Sequence, residues 1–70
     1  MIEILAQIIA PKTEKQAGFA AGIVLWDDNV VESADVVKFM RRWSRDRVRE
    51  YCAKRGWKIA VVHRLERERP

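Results

Sequence analysis

The chain has 70 residues, of which 34% are charged, and its formal net charge at pH 7 is +4. Its length allows one small domain, residues 1–70, with a core that is marginal for independent stability. One cysteine and one histidine exclude an internal disulfide and are too few for a zinc site. We therefore expect a compact monomer or an oligomer that holds no metal and no cofactor.

The charge is unevenly divided along the chain. Residues 1–37 carry two bases and six acids, a net charge of −4, whereas residues 38–70 carry twelve bases and four acids, a net charge of +8. This division predicts a face that attracts anions, although the two halves can also neutralise each other across the fold. The lone thiol fits a reducing compartment. The start of the chain lacks the basic segment of a signal peptide, and no apolar run reaches membrane-spanning length. We expect a soluble, cytoplasmic protein.

Three strands are predicted in the first half. Apolar residues alternate over 2–9, including positions on both faces, which indicates a strand inside a sheet or one packed on both sides. The polar stretch 11–18 predicts an exposed loop. Branched and aromatic residues predict a second strand over 19–26. The Asp-Asp-Asn sequence at 27–29 is typical of a tight turn, which leads into a short third strand at 30–32.

A helical region follows, and its continuity is the open question. Ser33 or Asp35 can cap a helix that begins near residue 34, and the next apolar residues follow helical spacing. Ser44 is a second good N-cap, and a continuous helix would weaken the apolar stripe. We therefore predict two helices, about 34–42 and 45–55, with a break at Ser44, rather than one helix over the whole region.

The second helix has a clear predicted end. Gly56 follows two cations and suits the left-handed residue that commonly terminates a helix, with Trp57 packing back on it. Residues 58–63 predict a final strand, and residues 64–70 alternate in charge and are expected to form a tail. Three residues of the strand are predicted to share one face: Ile59, Val61 and His63.

The predicted element order is β-β-β-α-α-β. This order is typical of an α+β domain in which two helices pack on one face of a small sheet. We expect the core to lie within about residues 2–63.

Residues with catalytic potential have structural explanations. Cys52 and His63 would need to lie within hydrogen-bond reach for nucleophilic catalysis. Cys52 instead falls on the apolar side of its helix, where we expect a buried structural thiol. Asp27 and Asp28 are explained by the turn, and the glycines do not fit a phosphate-binding loop. We therefore predict no enzyme, no catalytic residue and no small-molecule substrate.

The segment 38–58 is the most basic part of the chain, with nine of the fourteen Lys and Arg residues and two acids. Asp46 and Glu50 can each pair with a nearby cation. Four arginines are left without a local acid: Arg41, Arg42, Arg45 and Arg49. Three of them surround Ser44, where a helix amino terminus adds partial positive charge, and guanidinium groups match phosphate oxygens. These four residues are our candidate nucleic-acid or anion site. An equal alternative is a solvated helix face that pairs with the acidic first half of the chain.

The aromatic residues are expected mainly in the core. Phe39, Trp43, Tyr51 and Trp57 fall where the helices and the helix end need bulk. Trp26 would be exposed if the helices cover only one face of the sheet, and it would then suit a protein interface. A buried Trp26 is the favoured interpretation.

A resemblance to known proteins rests on two runs of the sequence: F-A-A-G-I-V-L-W-D-D-N-V-V-E-S-A and F-M-R-R-W-S-R-D-R-V-R-E-Y-C-A-K-R-G-W. Together they resemble small uncharacterised proteins common in phage and prophage genomes, over residues 19–62. The resemblance implies a hairpin, two short helices and a final strand, with no known activity. Our leading hypothesis is a small non-enzymatic module that contacts DNA or RNA. The alternative is a protein-interaction module or homodimer that uses an edge strand, for example a phage-encoded modulator of a host protein.

Overall fold

The computed structural model describes residues 1–66. Its elements are β1 (Ile2–Ala10), β2 (Phe19–Trp26), β3 (Asn29–Ser33), a 3₁₀ helix (Asp35–Met40), α1 (Arg45–Arg55) and β4 (Lys58–Glu66). The strands form one antiparallel sheet of four strands in the order β3-β2-β1-β4. The predicted small α+β fold is confirmed at this level.

β1 is an inner strand of the sheet, which is one of the two arrangements that its apolar pattern indicates. It pairs with β2 from Glu3↔Trp26 to Ala10↔Phe19, and with β4 on its other side. Alternate β1 residues from Ile4 to Ala10 are buried, while Leu5 and Ile9 on the opposite face are partly exposed. One face of the sheet therefore belongs to the core, and we call the other the open face.

The turn between β2 and β3 forms where Asp-Asp-Asn predicts it. Asp27 and Asp28 have φ values of 47° and 67°, the left-handed conformation that Asp tolerates better than most residues. The Asp27 carboxylate also accepts a hydrogen bond of 3.0 Å from the amide of Ile2. This turn therefore fixes the end of the hairpin against the start of β1, which is a structural role.

α1 begins and ends at the predicted residues. Oγ of Ser44 accepts a hydrogen bond of 3.2 Å from the amide of Arg47, which satisfies one free donor of the first turn. Gly56 ends the helix with a φ of 72°. The break at Ser44 is therefore confirmed. Within residues 1–66, no helix combines the length and the apolar character needed to cross a membrane.

The first helical segment differs from the prediction. It is a 3₁₀ helix of six residues instead of an α-helix over 34–42. It ends early because the following chain bonds to β3: the Arg42 amide donates to the Val30 carbonyl over 2.8 Å, and the Val30 amide donates to the Trp43 carbonyl over 2.9 Å. The prediction of two packed α-helices thus reduces to one α-helix and one 3₁₀ helix.

The predicted cap of this first segment is also wrong. Ala34 occupies the N-cap position and makes no side-chain cap. Ser33 cannot serve because it belongs to β3, pairs with Ile23 and buries its hydroxyl oxygen without a hydrogen-bond partner. Asp35 is already the first helical residue, so it contributes a carboxylate to the first turn instead of a cap.

The core joins the sheet to both helical segments. Val37 and Met40 of the 3₁₀ helix and Val48 and Cys52 of α1 are almost fully buried. They belong to one apolar cluster with strand residues: Ile4, Ala6, Ile8, Ala21, Ile23, Leu25 and Val30. We call the sheet face that contributes to this cluster the helix face.

β4 contains a bulge that changes which side chains face the helices. Val61 pairs with Ala6, whereas His63 pairs with Leu5, so one extra residue, Val62, lies between them. Since paired residues share a face, Val61 lies on the helix face and His63 on the open face. The prediction that Ile59, Val61 and His63 share one face is therefore wrong for His63.

The predicted tail begins too early. Arg64 and Glu66 continue β4 and pair with Ile4 and Ile2 of β1. These pairs extend the strand because β1 offers partners along its whole length. Residues 67–70 of the predicted tail lie outside the described residues.

Candidate nucleic-acid interface

The four candidate arginines lie at the start of α1 and just before it. Arg41 and Arg42 form the turn between the 3₁₀ helix and Ser44, and both are exposed. Arg42 has a φ of 70°, which reverses the chain direction before the helix begins. Arg45 and Arg49 lie one turn apart on α1, so they share one side of that helix.

The side that carries Arg45 and Arg49 also carries two carboxylates. A polar hollow of about 250 Å³ is lined by Asp28, Ser44, Arg45, Asp46 and Arg49. Nη1 of Arg45 lies 3.6 Å from Oδ1 of Asp28, and both side chains are solvent-accessible. Two cations and two anions therefore meet here, and the hollow has no formal excess of positive charge. An anion is better attracted by Arg41 and Arg42, which lie in the preceding turn.

Sequence reasoning missed the proximity of Asp28 to Arg45. The two residues belong to the β2–β3 turn and to α1, and the Arg45 amide donates to the Asp28 carbonyl over 2.8 Å. The only sequence signal was the opposite charge of the two halves of the chain, which indicates pairing across the fold without naming the partners.

We call the 3₁₀ helix, residues 41–44 and α1 together the helical layer. A row of aromatic side chains lies along this layer, and we call the row the aromatic cluster. Its five members are Phe19, Phe39, Trp43, Tyr51 and Trp57. Phe39, Trp43 and Tyr51 are in mutual contact, with ring centroids 5.4–5.5 Å apart. Tyr51 continues to Trp57 at 5.7 Å, and Trp57 to Phe19 at 5.1 Å. These distances and the steep ring angles are typical of edge-to-face packing.

Cations lie directly on this cluster. The guanidinium carbon of Arg47 is 4.1 Å from the centroid of a Trp43 ring, and that of Arg55 is 4.5 Å from the Tyr51 ring. Such contacts stabilise a charge on an aromatic face by about 0.5–1 kcal/mol at exposed sites. A shallow groove of about 450 Å³ runs beside them, lined by Phe39, Trp43, Arg47, Glu50, Tyr51 and Lys54. Aromatic surface and positive charge are therefore adjacent on this side of α1.

Glu50 moderates the charge of this groove. Its Oε1 lies 3.5 Å from Nζ of Lys54, one helical turn away. Both side chains are largely exposed, and such pairs contribute only a few tenths of a kcal/mol. Lys54 therefore remains free to exchange Glu50 for another anion at little cost.

The aromatic residues divide into two groups by exposure. Trp43, Tyr51 and Trp57 are partly buried and pack against the core, close to the prediction. Phe39 is 48% exposed, so its predicted place in the core is wrong. The reason is the 3₁₀ helix: Val37 and Met40, three residues apart, share the buried side, and Phe39 between them is turned outward.

Trp26 is exposed rather than buried. It lies at the end of β2 on the open face, with 45% of its surface accessible, and its Nε1 donates a hydrogen bond of 3.0 Å to Oε1 of Glu3. The favoured prediction of a buried ring is wrong because the helices cover the other side of the sheet. Its suggested role in an interface stays a prediction.

Cys52 and His63 lie on different sides of the sheet. The Cys52 side chain is in the core on the helix face, as predicted, and burial raises the pKa of its thiol. His63 is exposed on the open face. The sheet therefore separates the only thiol from the only imidazole. Among residues 1–66, no group of three or more His, Cys, Asp and Glu side chains is arranged to hold a metal ion.

Comparison of the chain with protein-family models finds no match, and comparisons with curated proteins and with solved structures also find none.

Proposed function

We propose that this chain is a small non-enzymatic module, of phage-like origin and cytoplasmic location, that binds single-stranded DNA or RNA with the helical layer. The observation that carries the proposal is the contact of Arg47 with the partly buried ring of Trp43, beside a groove that the half-exposed ring of Phe39 also lines. Proteins that bind single strands combine a positive groove for the backbone with aromatic faces on which bases stack.

Charge supports the proposal. Residues 38–58 carry nine bases and two acids, and one of those acids, Glu50, is paired with Lys54. Of the six acids in residues 1–37, Glu3 bonds to Trp26 on the open face, whereas Asp28 pairs with Arg45 and Asp35 lies in the 3₁₀ helix. The nine bases of residues 38–58 still outnumber the acids at this layer, and this excess supports an attraction for phosphates.

The aromatic surface favours a single strand over a duplex. Phe39 is the most exposed ring of the aromatic cluster described above, and it borders the groove with Trp43 and Arg47. A base that is unstacked and unpaired can lie on such a ring, whereas a duplex keeps its bases inside. The groove thus suits one or two bases, and nearby cations suit their phosphates.

The four arginines of the predicted anion site supply the second part of the surface. Arg41 and Arg42 are exposed and lie in the turn that also contains Trp43. We assign phosphate contacts first to these two residues and to Arg47. Arg49 is a further candidate, whereas Arg45 is the weakest of the set because Asp28 already accompanies it.

A titration with labelled oligonucleotides tests the proposal. Binding of single-stranded DNA, single-stranded RNA and duplex DNA is measured by fluorescence anisotropy from about 20 mM to about 300 mM salt. We expect tighter binding of the single strands at low salt and a steep loss of affinity as salt rises. Undetectable binding at the lowest salt overturns the proposal, and a preference for the duplex overturns the assigned role of the aromatic groove.

A further inference from the structure

The outer edge of β4 is the feature that the proposed function leaves unused. β4 has nine residues and pairs with β1 from Ile2↔Glu66 to Ile9↔Lys58. Within residues 1–66 it is the last strand on its side of the sheet. In this part of the chain, the backbone amides and carbonyls of β4 that point away from β1 therefore have no strand partner, and such an edge is a template for another strand.

The opposite edge of the sheet, formed by β3, is shorter and is bonded to another part of the chain. β3 has five residues, and residues 42–44 cover the outer side of its first two. Val30 exchanges two hydrogen bonds, of 2.8 and 2.9 Å, with Arg42 and Trp43, and Asn29 forms a bridge with Ser44. Within residues 1–66, the sheet therefore has one short, partly covered edge and one long open edge.

This asymmetry decides the kind of assembly that edge pairing can form. Pairing the β4 edge of one copy with the β3 edge of the next would generate an open-ended fibre, but Asn29 and Val30 of the β3 edge are already bonded to residues 42–44. Pairing β4 with β4 is isologous and closes after two copies, since each copy then presents only its partly covered edge.

The middle of β4 is apolar and exposed. Val61 and Val62 are 53% and 67% exposed; Val62 is the extra residue of the bulge, and Val61 precedes it. On the helix face, α1 does not cover the strand: a groove of about 260 Å³ separates them, with Trp57, Ile59 and Val61 among its lining residues. A second strand beside Val61 and Val62 would remove this apolar surface from water, which favours association.

The two ends of β4 carry opposite charges, and Oε1 of Glu66 also accepts a hydrogen bond of 3.3 Å from Nη2 of Arg64 in the same strand. Lys58 begins the strand and Glu66 ends it. Antiparallel pairing about Val62 sets the segment 58–61 of one copy against the segment 63–66 of the other. Lys58 of each copy then lies near the end that carries Glu66 of the partner subunit, and the bulges lie together near the axis.

We propose that this chain forms a two-fold dimer by antiparallel pairing of β4 with β4 of a second copy, with Val61 and Val62 close to the axis. Such pairing continues the sheet across both copies, so their helix faces lie on the same side. The two basic helical layers then become neighbours. The dimer does not depend on nucleic-acid binding, and either proposal can fail without the other.

The mass of the full-length chain in solution tests the dimer directly. Sedimentation velocity and light scattering are recorded from about 1 µM to about 1 mM protein without nucleic acid. We expect the mass to rise to twice that of one chain. A single-chain mass over the whole range overturns the proposal.

A pair of matched variants locates the interface. Val62→Lys places two like charges near the axis and is expected to weaken the dimer at least about tenfold. Val36→Lys is the control, because Val36 is similarly exposed, at 53%, but lies on the 3₁₀ helix. Its dimer should match the wild type. A dimer that Val62→Lys leaves unchanged uses another surface and overturns the proposal.

Hydrogen exchange provides a test that needs no variant. Amides of β4 that do not bond to β1 should exchange more slowly in concentrated samples than in dilute ones, because the partner strand protects them. Equal exchange at both concentrations in these amides overturns the proposal, even if the protein self-associates.

Discussion

Arg47 lies over Trp43, with its guanidinium carbon 4.1 Å from the ring centroid. The two residues are four positions apart, one before α1 and the other in its first turn, so the helix start itself brings them together. The guanidinium occupies one face of the indole. An approaching base therefore finds its most accessible ring at Phe39, whose centroid is 5.5 Å from that of Trp43.

Phe39→Ala should weaken binding of a single strand by about 1–3 kcal/mol, the range for loss of one stacked base. Fluorescence anisotropy with the same oligonucleotide checks this value. Val36→Ala is the matched control, since Val36 is also about half exposed on the same 3₁₀ helix but lies outside the aromatic cluster. Equal affinities of the two variants would contradict the stacking role.

Arg41→Gln combined with Arg42→Gln should reduce both affinity and salt dependence. Each lost phosphate contact lowers the slope of log affinity against log salt by about 0.7 for a single strand, so the pair should lower it by about 1.4. Lys12→Gln with Lys15→Gln removes the same charge from the loop between β1 and β2 and serves as control. An equal effect of both double variants would show that net charge alone drives binding.

Ser44→Ala should lower the free energy of unfolding by about 1 kcal/mol, because the Arg47 amide loses its acceptor at the helix start. Urea denaturation followed by circular dichroism measures the loss. Ser44→Asp keeps a side-chain acceptor at this position and should remain close to the wild type. Equal stability of the alanine variant and the wild type would contradict the capping role.

Gly56→Ala should destabilise the fold by about 1–2 kcal/mol, since a side chain is strained at a φ of 72°. No neighbouring atom lies within 4 Å of the added carbon, so the effect isolates backbone strain. Gly22→Ala is the control: its added carbon is equally uncrowded, but its backbone lies within β2 and is not left-handed. Thermal denaturation of both variants tests the difference.

Ionisation of Cys52 should reduce stability at high pH. Burial raises the pKa of this thiol in the folded state above the ordinary value of 9.0. The unfolded chain then loses its proton first, so stability falls as pH rises above about 9 and is unaffected below about pH 8.

The Cys52→Ala variant lacks this titration and provides the reference. The stability difference between wild type and variant, measured by urea denaturation, should stay constant below about pH 8 and decrease above about pH 9. A difference that is independent of pH throughout this range would contradict the assigned burial of the thiol.

Local signals in the sequence predicted several element boundaries correctly. Ser44 caps α1 and Gly56 ends it, because a serine acceptor and a left-handed glycine act on the backbone within a few residues. The Asp-Asp-Asn turn forms for the same reason. Apolar residues on both faces of β1 indicated either an inner strand or a strand packed on both sides, and the sheet order shows the inner strand.

Features that depend on distant partners were predicted less well. The first helix is shortened by hydrogen bonds from residues 42 and 43 to Val30, which no local pattern reveals. The bulge in β4 moves His63 to the open face because β1 imposes its own register. In the candidate site, Arg41 and Arg42 are exposed, as a site for an anion requires. Arg45 was expected to lack a nearby acid, but Asp28, which is distant in sequence, lies beside it.

By itself, the sequence determined the α+β class, the turn, both ends of α1 and the basic character of residues 38–58, because these depend on neighbours along the chain. The tertiary structure alone decided which aromatic rings are exposed, which arginine meets an acid and which edge of the sheet stays open. Those properties depend on packing between segments far apart in sequence. Packing turned Phe39 and Trp26 outward and left the outer edge of β4 uncovered within the described residues.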